Sequence, residues 1–187
     1  MILRSSICTA ALLLLAAACN TGTQAAAPQI VATTLDLRAC QKQPDSSDPN
    51  ETPFWNCPGA AGYRLHVRRA GSGRMSIDVL SPSGREFPLD FTATAVTSAM
   101  FSLKDRAEWF LPSAGAPPLA LIVHVDLRED LQDPARVTRT LAVIARLNPE
   151  PACVTRTLPA GDAAAIRQAS EAARKDRCLS EPSNHKE

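Results

Sequence analysis

Residues 1–18 constrain this chain more than any other segment, because they set the compartment in which it folds. Arg4 places one positive charge near the start, and an apolar run of roughly 12 residues follows from Ile7 to Ala18. A membrane-spanning helix needs about 20 apolar residues, so this run is too short to span and is typical of a signal-peptide core. The sequence therefore predicts export into an oxidising compartment, with residues 1–18 removed as the signal peptide.

The end of this signal resembles a bacterial lipobox. Leu15, three alanines and Cys19 follow one another, with Ala16 where leucine is usual. The resemblance implies that Cys19 becomes the first residue and carries acyl chains such as palmitate, which anchor it to a membrane. Asn20 is not the aspartate that commonly retains such proteins in the inner membrane, so we expect the periplasmic face of the outer membrane. The alternative is cleavage near residues 25–27, which would release a soluble periplasmic protein.

Four cysteines remain in the exported chain once Cys8 leaves with the signal and Cys19 takes lipid. An even number of thiols in an oxidising compartment indicates two disulfides, for which several pairings exist. Proximity in sequence favours Cys40–Cys57 and Cys153–Cys178. A four-thiolate zinc site is disfavoured because the chain lacks a C-x-x-C pair, so we expect neither a metal nor another cofactor.

Length and charge limit the organisation and the function class. Residues 30–180 are long enough for a single domain with its own core, between a flexible tether at 19–29 and a polar tail at 181–187. The formal net charge is only +1, so the sequence gives no reason to expect nucleic-acid binding. The expected partners are the membrane, through the lipid anchor, and an unidentified envelope protein.

Alternating apolar residues predict an antiparallel hairpin at residues 63–69 and 74–80. A short loop at Gly71–Gly73 would pair Val67 with Ile77, because directly opposed residues must point to the same face of a sheet. The register of the hairpin therefore follows from its loop length.

Further strands are predicted at residues 85–91, 119–127 and 137–147, the last two carrying matching apolar faces. Asp162 is the predicted N-cap of a helix that runs from Ala163 to about Arg177. In the middle of the chain helical spacing relates Val96, Met100, Leu103 and Ala107 and predicts a second helix, while Glu108–Leu111 could start another strand.

These elements predict the α+β class. We expect a mainly antiparallel sheet of about six or seven strands, packed by the C-terminal helix and stapled by two disulfides.

The hairpin register places His66 directly opposite Asp78 on the outward face, with Arg64 and Arg68 beside them. These four residues form the predicted binding patch. A histidine next to a carboxylate is also the pattern of a general base. The alternative is a structural cross-strand ion pair on a solvated face, worth about 0.5 kcal/mol.

His124 and Asp126 are the second candidate pair, two residues apart on one face of a strand. They could supply two metal ligands, but no third ligand is assigned, and the alternative is an outward polar strand face. The sequence contains no G-x-S-x-G, H-E-x-x-H, P-loop or dinucleotide motif. We therefore expect no catalytic residues.

Cys57-Pro58-Gly59, Gly62-Tyr63, the apolar stretch Ala120–Val123 and an alanine-rich helix ending in cysteine together resemble a known group. They are similar to small secreted proteins of unknown function from GC-rich bacteria, over residues 36–180. The chain departs from that group around Trp109–Pro118, where a shorter connection is expected. The resemblance implies an exported domain with four cysteines, and it implies no activity.

The sequence thus predicts a non-enzymatic lipoprotein of the cell envelope that presents a disulfide-stapled interaction domain. One alternative is a periplasmic inhibitor of a lytic, lysozyme-like enzyme, with the polar loop at 41–56 inserted into the enzyme's cleft. The other alternative is a small hydrolase built on His66 and Asp78 or on His124 and Asp126.

Overall fold

The computed structural model describes residues 27–43, 54–69, 75–95 and 100–179, which form ten β-strands and two helices. The strands are β1 Gln29–Thr34, β2 Gln41–Lys42, β3 Phe54–Pro58, β4 Arg64–Arg69, β5 Met75–Leu80, β6 Glu86–Pro88, β7 Met100–Leu111, β8 Ala120–Arg128, β9 Arg139–Arg146 and β10 Cys153–Pro159. The helices are α1 Phe91–Thr94 and α2 Ala163–Ala172.

Two five-stranded antiparallel sheets divide these strands between them. The long sheet has the order β1-β7-β8-β9-β10, and the short sheet has the order β2-β3-β4-β5-β6. The short sheet is a continuous meander inserted between β1 and β7 of the long sheet. The predicted α+β class, mainly antiparallel with a C-terminal helix and two disulfides, is confirmed, and its strands are shared between two sheets.

The two sheets pack face to face over one apolar core. Its centre is formed by inward side chains of both sheets that are at most 1% exposed: Leu65, Val67, Ile77 and Val79 from the short sheet, and Trp109, Leu121, Val123, Val125 and Val143 from the long sheet. Because side chains alternate along a strand, the residues between these positions lie on the two outer faces.

The helix α2 covers part of the outer face of the long sheet. Its buried residues Ile166 and Ala169, together with Ala173 directly after the helix, pack against a second apolar cluster formed by Phe110, Ala120, Ile122, Ala142 and Ile144. The Asp162 side chain accepts a hydrogen bond of 2.9 Å from the backbone nitrogen of Ala165, so the predicted N-cap is confirmed.

The predicted C-terminal end of this helix is wrong, since α2 ends at Ala172 rather than near Arg177. Turn-like hydrogen bonds follow, from Lys175 to Ala172 and from Asp176 to Ala173. The chain then returns to the long sheet, where Cys178 bonds to Cys153. The disulfide therefore requires the chain to leave the helical path before it reaches that cysteine.

Both predicted disulfides, Cys40–Cys57 and Cys153–Cys178, are confirmed. The first joins the segment after β1 to β3, next to the core, where Cys57 is 1% exposed. The second fixes the chain after α2 to the first residue of β10. Each bridge closes a local loop and restricts the unfolded chain more than the folded one.

The predicted hairpin is confirmed as β4 and β5, with Val67 opposite Ile77 and His66 opposite Asp78. Its predicted loop, Gly71–Gly73, lies outside the described residues. The strands predicted at 119–127 and 137–147 correspond to β8 and β9.

The helix predicted across Met100, Leu103 and Ala107 is wrong, because these residues lie in β7; Val96 falls outside the described ranges. The register of β7 shifts between Leu103, opposite Val125, and Ala107, opposite Val123. An advance of four residues along β7 therefore matches an advance of two along β8, which is a β-bulge. The bulge leaves apolar residues of a strand four positions apart, an interval that is also typical of a helix. The strand predicted at 85–91 is also shorter, since it ends at Pro88 and Phe91 begins α1.

Several predictions fall on parts of the chain that are not described. They are the signal peptide at 1–18, the lipidated Cys19, most of the tether, most of the polar loop at 41–56 and the tail at 181–187. Among the described helices, neither has the length and apolarity needed to cross a membrane.

Trp109 is the largest fully buried side chain and connects both sheets. Its indole Nε1 donates a hydrogen bond of 2.9 Å to Oγ1 of Thr33 on β1. Its ring lies 5.9 Å from that of Tyr63, which precedes β4. A Cβ atom added to Gly59 would overlap the carbonyl oxygen of Tyr63 and lie 3.0 Å from Cζ2 of Trp109. The turn between β3 and β4 therefore packs on the indole only because residue 59 lacks a side chain.

The substitution Gly59→Ala is expected to lower the free energy of unfolding by about 1–3 kcal/mol, because the new methyl group has no space. The control is Gly161→Ala, where an added Cβ meets no atom within 4 Å. That variant should change stability by less than about 0.5 kcal/mol. Urea denaturation measures both, and equal effects would contradict the role given to Gly59.

Candidate functional site

Four polar residues on the outer face of the short sheet form a connected group, which we name the His66 cluster: His66, Arg68, Asp78 and Glu86. His66 and Arg68 lie on β4, Asp78 is opposite His66 on β5, and Glu86 is the first residue of β6. Alternation along each strand turns these side chains away from the core.

The cluster is joined by short hydrogen bonds. His66 Nδ1 donates to Glu86 Oε1 at 2.9 Å, and Arg68 Nη2 donates to the same oxygen at 2.8 Å. Arg68 Nε donates to Asp78 Oδ2 at 2.5 Å. Arg68 therefore bridges the two carboxylates, and each bond is assisted by charge.

Phe54 on β3 completes the group. Its ring centroid is 4.5 Å from that of His66, and the guanidinium carbon of Arg68 lies 5.0 Å from the Phe54 centroid. The Phe54 ring thus lies between the Arg68 guanidinium and the His66 imidazole and contacts both. The contact with Arg68 is a cation–π interaction.

Burial divides the cluster into an inner and an outer pair. The His66 and Asp78 side chains are 11% and 10% exposed, whereas those of Arg68 and Glu86 are 30% and 37% exposed. The pair that the sequence predicts on a solvated face is therefore largely removed from water.

The same environment shifts the acidities of the charged groups. Burial, the largest influence, raises the pKa of Asp78 although Arg68 bonds to it. Burial acts in the same direction on Glu86, but the hydrogen bonds from His66 and Arg68 outweigh it, and the pKa of Glu86 is lowered. Burial alone would lower the pKa of Arg68, but its bonds to both carboxylates raise it. Arg68 therefore stays protonated at neutral pH.

The structure brings together three of the four residues of the predicted patch, namely His66, Arg68 and Asp78. Arg64 lies two residues before His66 on β4 and is exposed. Sequence reasoning missed Glu86 and Phe54, which both contact His66. The alternation of Glu86 with the buried Phe87 is the signal that could have identified Glu86 as an outward residue.

The hydrogen bonds of the cluster hold its side chains in fixed positions. A general base needs a histidine nitrogen or carboxylate oxygen that is free to take a proton from a substrate. Here Glu86 Oε1 already accepts bonds from both His66 and Arg68. The Arg68 charge lowers the pKa of both carboxylates, but burial outweighs it at Asp78, whose pKa is raised.

The second candidate pair, His124 and Asp126, lies on the outer face of the long sheet, beyond the part covered by α2. His124 Nε2 is 4.0 Å from Glu108 Oε2. Asp126 accepts a 2.6 Å hydrogen bond from Thr140 Oγ1 and lies 3.4 Å from Lys104 Nζ. The two predicted residues thus have different partners and do not form one site.

Within the described ranges, no group of three or more His, Cys, Asp or Glu side chains is placed to hold a metal ion. The four cysteines that the zinc alternative requires are paired as disulfides.

Replacing Glu86 by glutamine is expected to destabilise the protein more at neutral pH than in acid. Because the pKa of Glu86 is lowered on folding, its ionised form adds stability above the ordinary glutamate pKa of about 4.3. That contribution is lost as the pH falls through the lower folded value. Urea denaturation of both proteins across this range measures the difference.

The control is Glu171→Gln, which removes an exposed ion pair with Arg167 on α2. This substitution should lower the free energy of unfolding by no more than about 0.5 kcal/mol. If Glu86→Gln costs the same at neutral and acid pH, the charge of Glu86 does not stabilise the cluster.

The run from Cys57 to Tyr63, which resembles that of small secreted proteins, forms the end of β3 and the turn that packs on Trp109. Its two glycines and its tyrosine have structural roles there. The resemblance itself stays a prediction. No protein-family model, curated protein or solved structure matches the chain.

Proposed function

We propose that this chain is an exported cell-envelope protein, anchored by lipid on Cys19, that acts by binding another envelope protein rather than by catalysis. The binding surface is the outer face of the short sheet, made of Arg64 and the His66 cluster. The outer membrane is the preferred location of the anchor, with the soluble periplasm as the alternative.

The observation that carries this proposal is the hydrogen bonding inside the His66 cluster. Glu86 accepts hydrogen bonds from His66 and Arg68, and Arg68 also donates one to Asp78. These side chains are therefore ordered before a partner binds. A preformed surface loses little conformational entropy on binding. Arginine and aromatic residues such as Arg68 and Phe54 are enriched at protein interfaces.

Export is supported by the two disulfides, which form and persist in oxidising compartments. The apolar N-terminal segment and the lipobox-like residues before Cys19 point to the same compartment. Acyl chains on one terminus give a stable attachment because each buried CH₂ adds about 0.8 kcal/mol.

The anchor is tested by Cys19→Ala in the host cell. The wild-type protein should sediment with membranes, whereas the variant should lose its acyl chains and appear in the soluble fraction or as uncleaved precursor. Cys8→Ala is the control, since that residue leaves with the signal, and it should behave as wild type. A cleaved Cys19→Ala chain that still sediments with membranes, or a wild-type chain without acyl groups, would overturn the lipid anchor.

The binding surface is tested with a photo-crosslinking amino acid at position 64, next to the His66 cluster. We expect one adduct of defined mass in cells, and we expect Phe54→Ala to reduce it by removing the ring that orders His66 and Arg68. The matched control places the same amino acid at position 174, after α2. Equal adduct patterns at both positions would contradict the proposed surface.

A second function, inhibition of a lytic enzyme, is favoured by the closed base of the polar loop. The Cys40–Cys57 disulfide and the pairing of Gln41 with Asn56 hold the two ends of this segment together. Residues 44–53 themselves lie outside the described ranges. The test is peptidoglycan hydrolysis by a lysozyme-like enzyme with and without the protein, and an unchanged rate would remove this function.

A further inference from the structure

Arg146, the last residue of β9, places its guanidinium beside the disulfide between Cys153 and Cys178. Arg146 lies directly opposite Cys153 in the register of β9 and β10. Because residues that lie opposite each other share one face of a sheet, the arginine side chain and the disulfide are neighbours on the outer face of the long sheet. Nη2 of Arg146 donates a hydrogen bond of 3.4 Å to Sγ of Cys178. A positive charge therefore contacts this sulfur.

The other hydrogen-bond partners of this guanidinium are neutral. Nη1 donates to the backbone carbonyl of Asp176 at 3.1 Å, and Nη2 also donates to that of Pro151 at 3.4 Å. Nε is buried and has no hydrogen-bond partner among the described residues. The guanidinium of Arg146 is thus held in place by carbonyl groups that do not balance its charge.

The carboxylates of the neighbouring segments are paired with other arginines. Asp176 accepts from Arg156 at 2.7 Å, and Glu150 accepts from Arg85 at 2.7 Å. Within the described ranges, Arg146 forms no ion pair, and a cation that is partly removed from water is costly without an anion. Sγ of Cys178 becomes such an anion when the bridge is reduced and the thiol loses its proton.

A thiolate is stabilised by a neighbouring arginine, which lowers the pKa of the thiol below its ordinary value of about 8.5. Stabilising the reduced form of a disulfide makes that disulfide easier to reduce. The contact between Arg146 and Cys178 therefore favours opening of the Cys153–Cys178 bridge. Among the described residues, no arginine or lysine donates a hydrogen bond to either sulfur of the other bridge, Cys40–Cys57.

The two bridges also differ in their place in the fold. Cys57 is 1% exposed and belongs to the core between the sheets, against which Cys40 packs. Cys153 and Cys178 belong to neither apolar cluster. Cys153 is buried, but Cys178 is only half-buried. A thiolate from solution can therefore reach Cys178 without opening the core, and reduction of this bridge leaves the two sheets packed.

We propose that the Cys153–Cys178 bridge is a thiol–disulfide exchange site for a protein dithiol, and that Arg146 stabilises the thiolate that the exchange releases. This inference goes beyond the proposed function and depends on neither the lipid anchor nor the His66 cluster. The Cys40–Cys57 bridge is the structural one.

The exchange takes place in two steps. One thiol of the dithiol loses its proton and attacks Sγ of Cys178, so that the S–S bond breaks and Cys153 leaves as a thiolate that takes up a proton. The second thiol loses its proton to water and attacks the mixed disulfide, which releases Cys178 as a thiolate beside Arg146. Two electrons pass from the dithiol, which becomes a disulfide, to the bridge of this chain.

The first test places the purified full chain in mixtures of reduced and oxidised dithiothreitol, a small dithiol, at neutral pH. Acid quenching, alkylation and peptide mass spectrometry then show which bridge is open. We expect Cys153–Cys178 to open at a ratio of reduced to oxidised dithiothreitol at least about tenfold lower than Cys40–Cys57 requires. The proposal is overturned if both bridges open at the same ratio or if Cys40–Cys57 opens first.

The charge of Arg146 is tested by two substitutions in the same assay. Arg146→Gln keeps a hydrogen-bond donor but removes the charge, and it should raise the ratio needed to open Cys153–Cys178 at least about tenfold, because one pKa unit is a tenfold change. Arg146→Lys keeps the charge and should raise that ratio less. The matched control is Arg139→Gln at the start of the same strand, where the arginine is exposed and bonds to Glu129. It should leave the ratio unchanged, whereas equal effects of all three substitutions would contradict the role of the charge.

A second measurement separates the charge of Arg146 from its structural contacts. Cys153→Ser leaves Cys178 as a free thiol beside the arginine. Because only the thiolate reacts, iodoacetamide at about pH 6 should alkylate Cys178 at least about tenfold faster in this variant than in the double variant with Arg146→Gln. At about pH 10, where either thiol is largely ionised, the two rates should agree within about threefold. Equal rates at the lower pH, or the same difference at both pH values, would overturn the proposal.

Discussion

Burial of apolar side chains between the two sheets is the interaction on which the rest of this structure depends, and Trp109 occupies its centre. Its indole contacts the long sheet through its own strand, bonds to Thr33 on β1 and packs beside Tyr63 at the start of β4. Since Gly59 leaves the necessary space, the turn that follows Cys57 of the first disulfide lies directly on this core. The same packing defines the outer faces, because the residues on either side of each inward residue point to the opposite face of the sheet.

The candidate site follows from that alternation and from the loss of water. A cross-strand pair on a solvated face contributes little, because water screens the charges. Phe54 covers His66, and the pairing of Arg68 with both carboxylates compensates for removing them from water. The opposite pKa shifts of Asp78 and Glu86 have one origin, since burial acts on both but only Glu86 receives two donated hydrogen bonds strong enough to reverse it.

Local patterns allowed several parts of the structure to be predicted. The register of β4 and β5 follows from the alternation on both sides of a short loop, and both disulfides join cysteines that are neighbours in sequence. The N-cap at Asp162 is likewise a local signal. These features depend on residues close together in the chain.

Other parts could not be predicted, for physical reasons. Alternation shows which face of a strand is buried but not which sheet the strand joins, so one sheet was expected where two exist. The bulge in β7 separates Leu103 from Ala107 by a helical interval while both contact the core. His66 on β4 contacts Phe54 on β3 and Glu86 on β6. These contacts can be predicted only when the order of the strands in the sheet is known.

The proposed lipoprotein requires an oxidising compartment and a lipid on the first residue of the mature chain. Intact mass of the protein isolated from membranes, before and after reduction, tests both requirements in one measurement. The account predicts a chain that begins at Cys19 with an acyl-sized increment, and a gain of four hydrogens on reduction of the two disulfides. A chain without acyl groups that begins near residues 25–27, or free thiols before reduction, would contradict it.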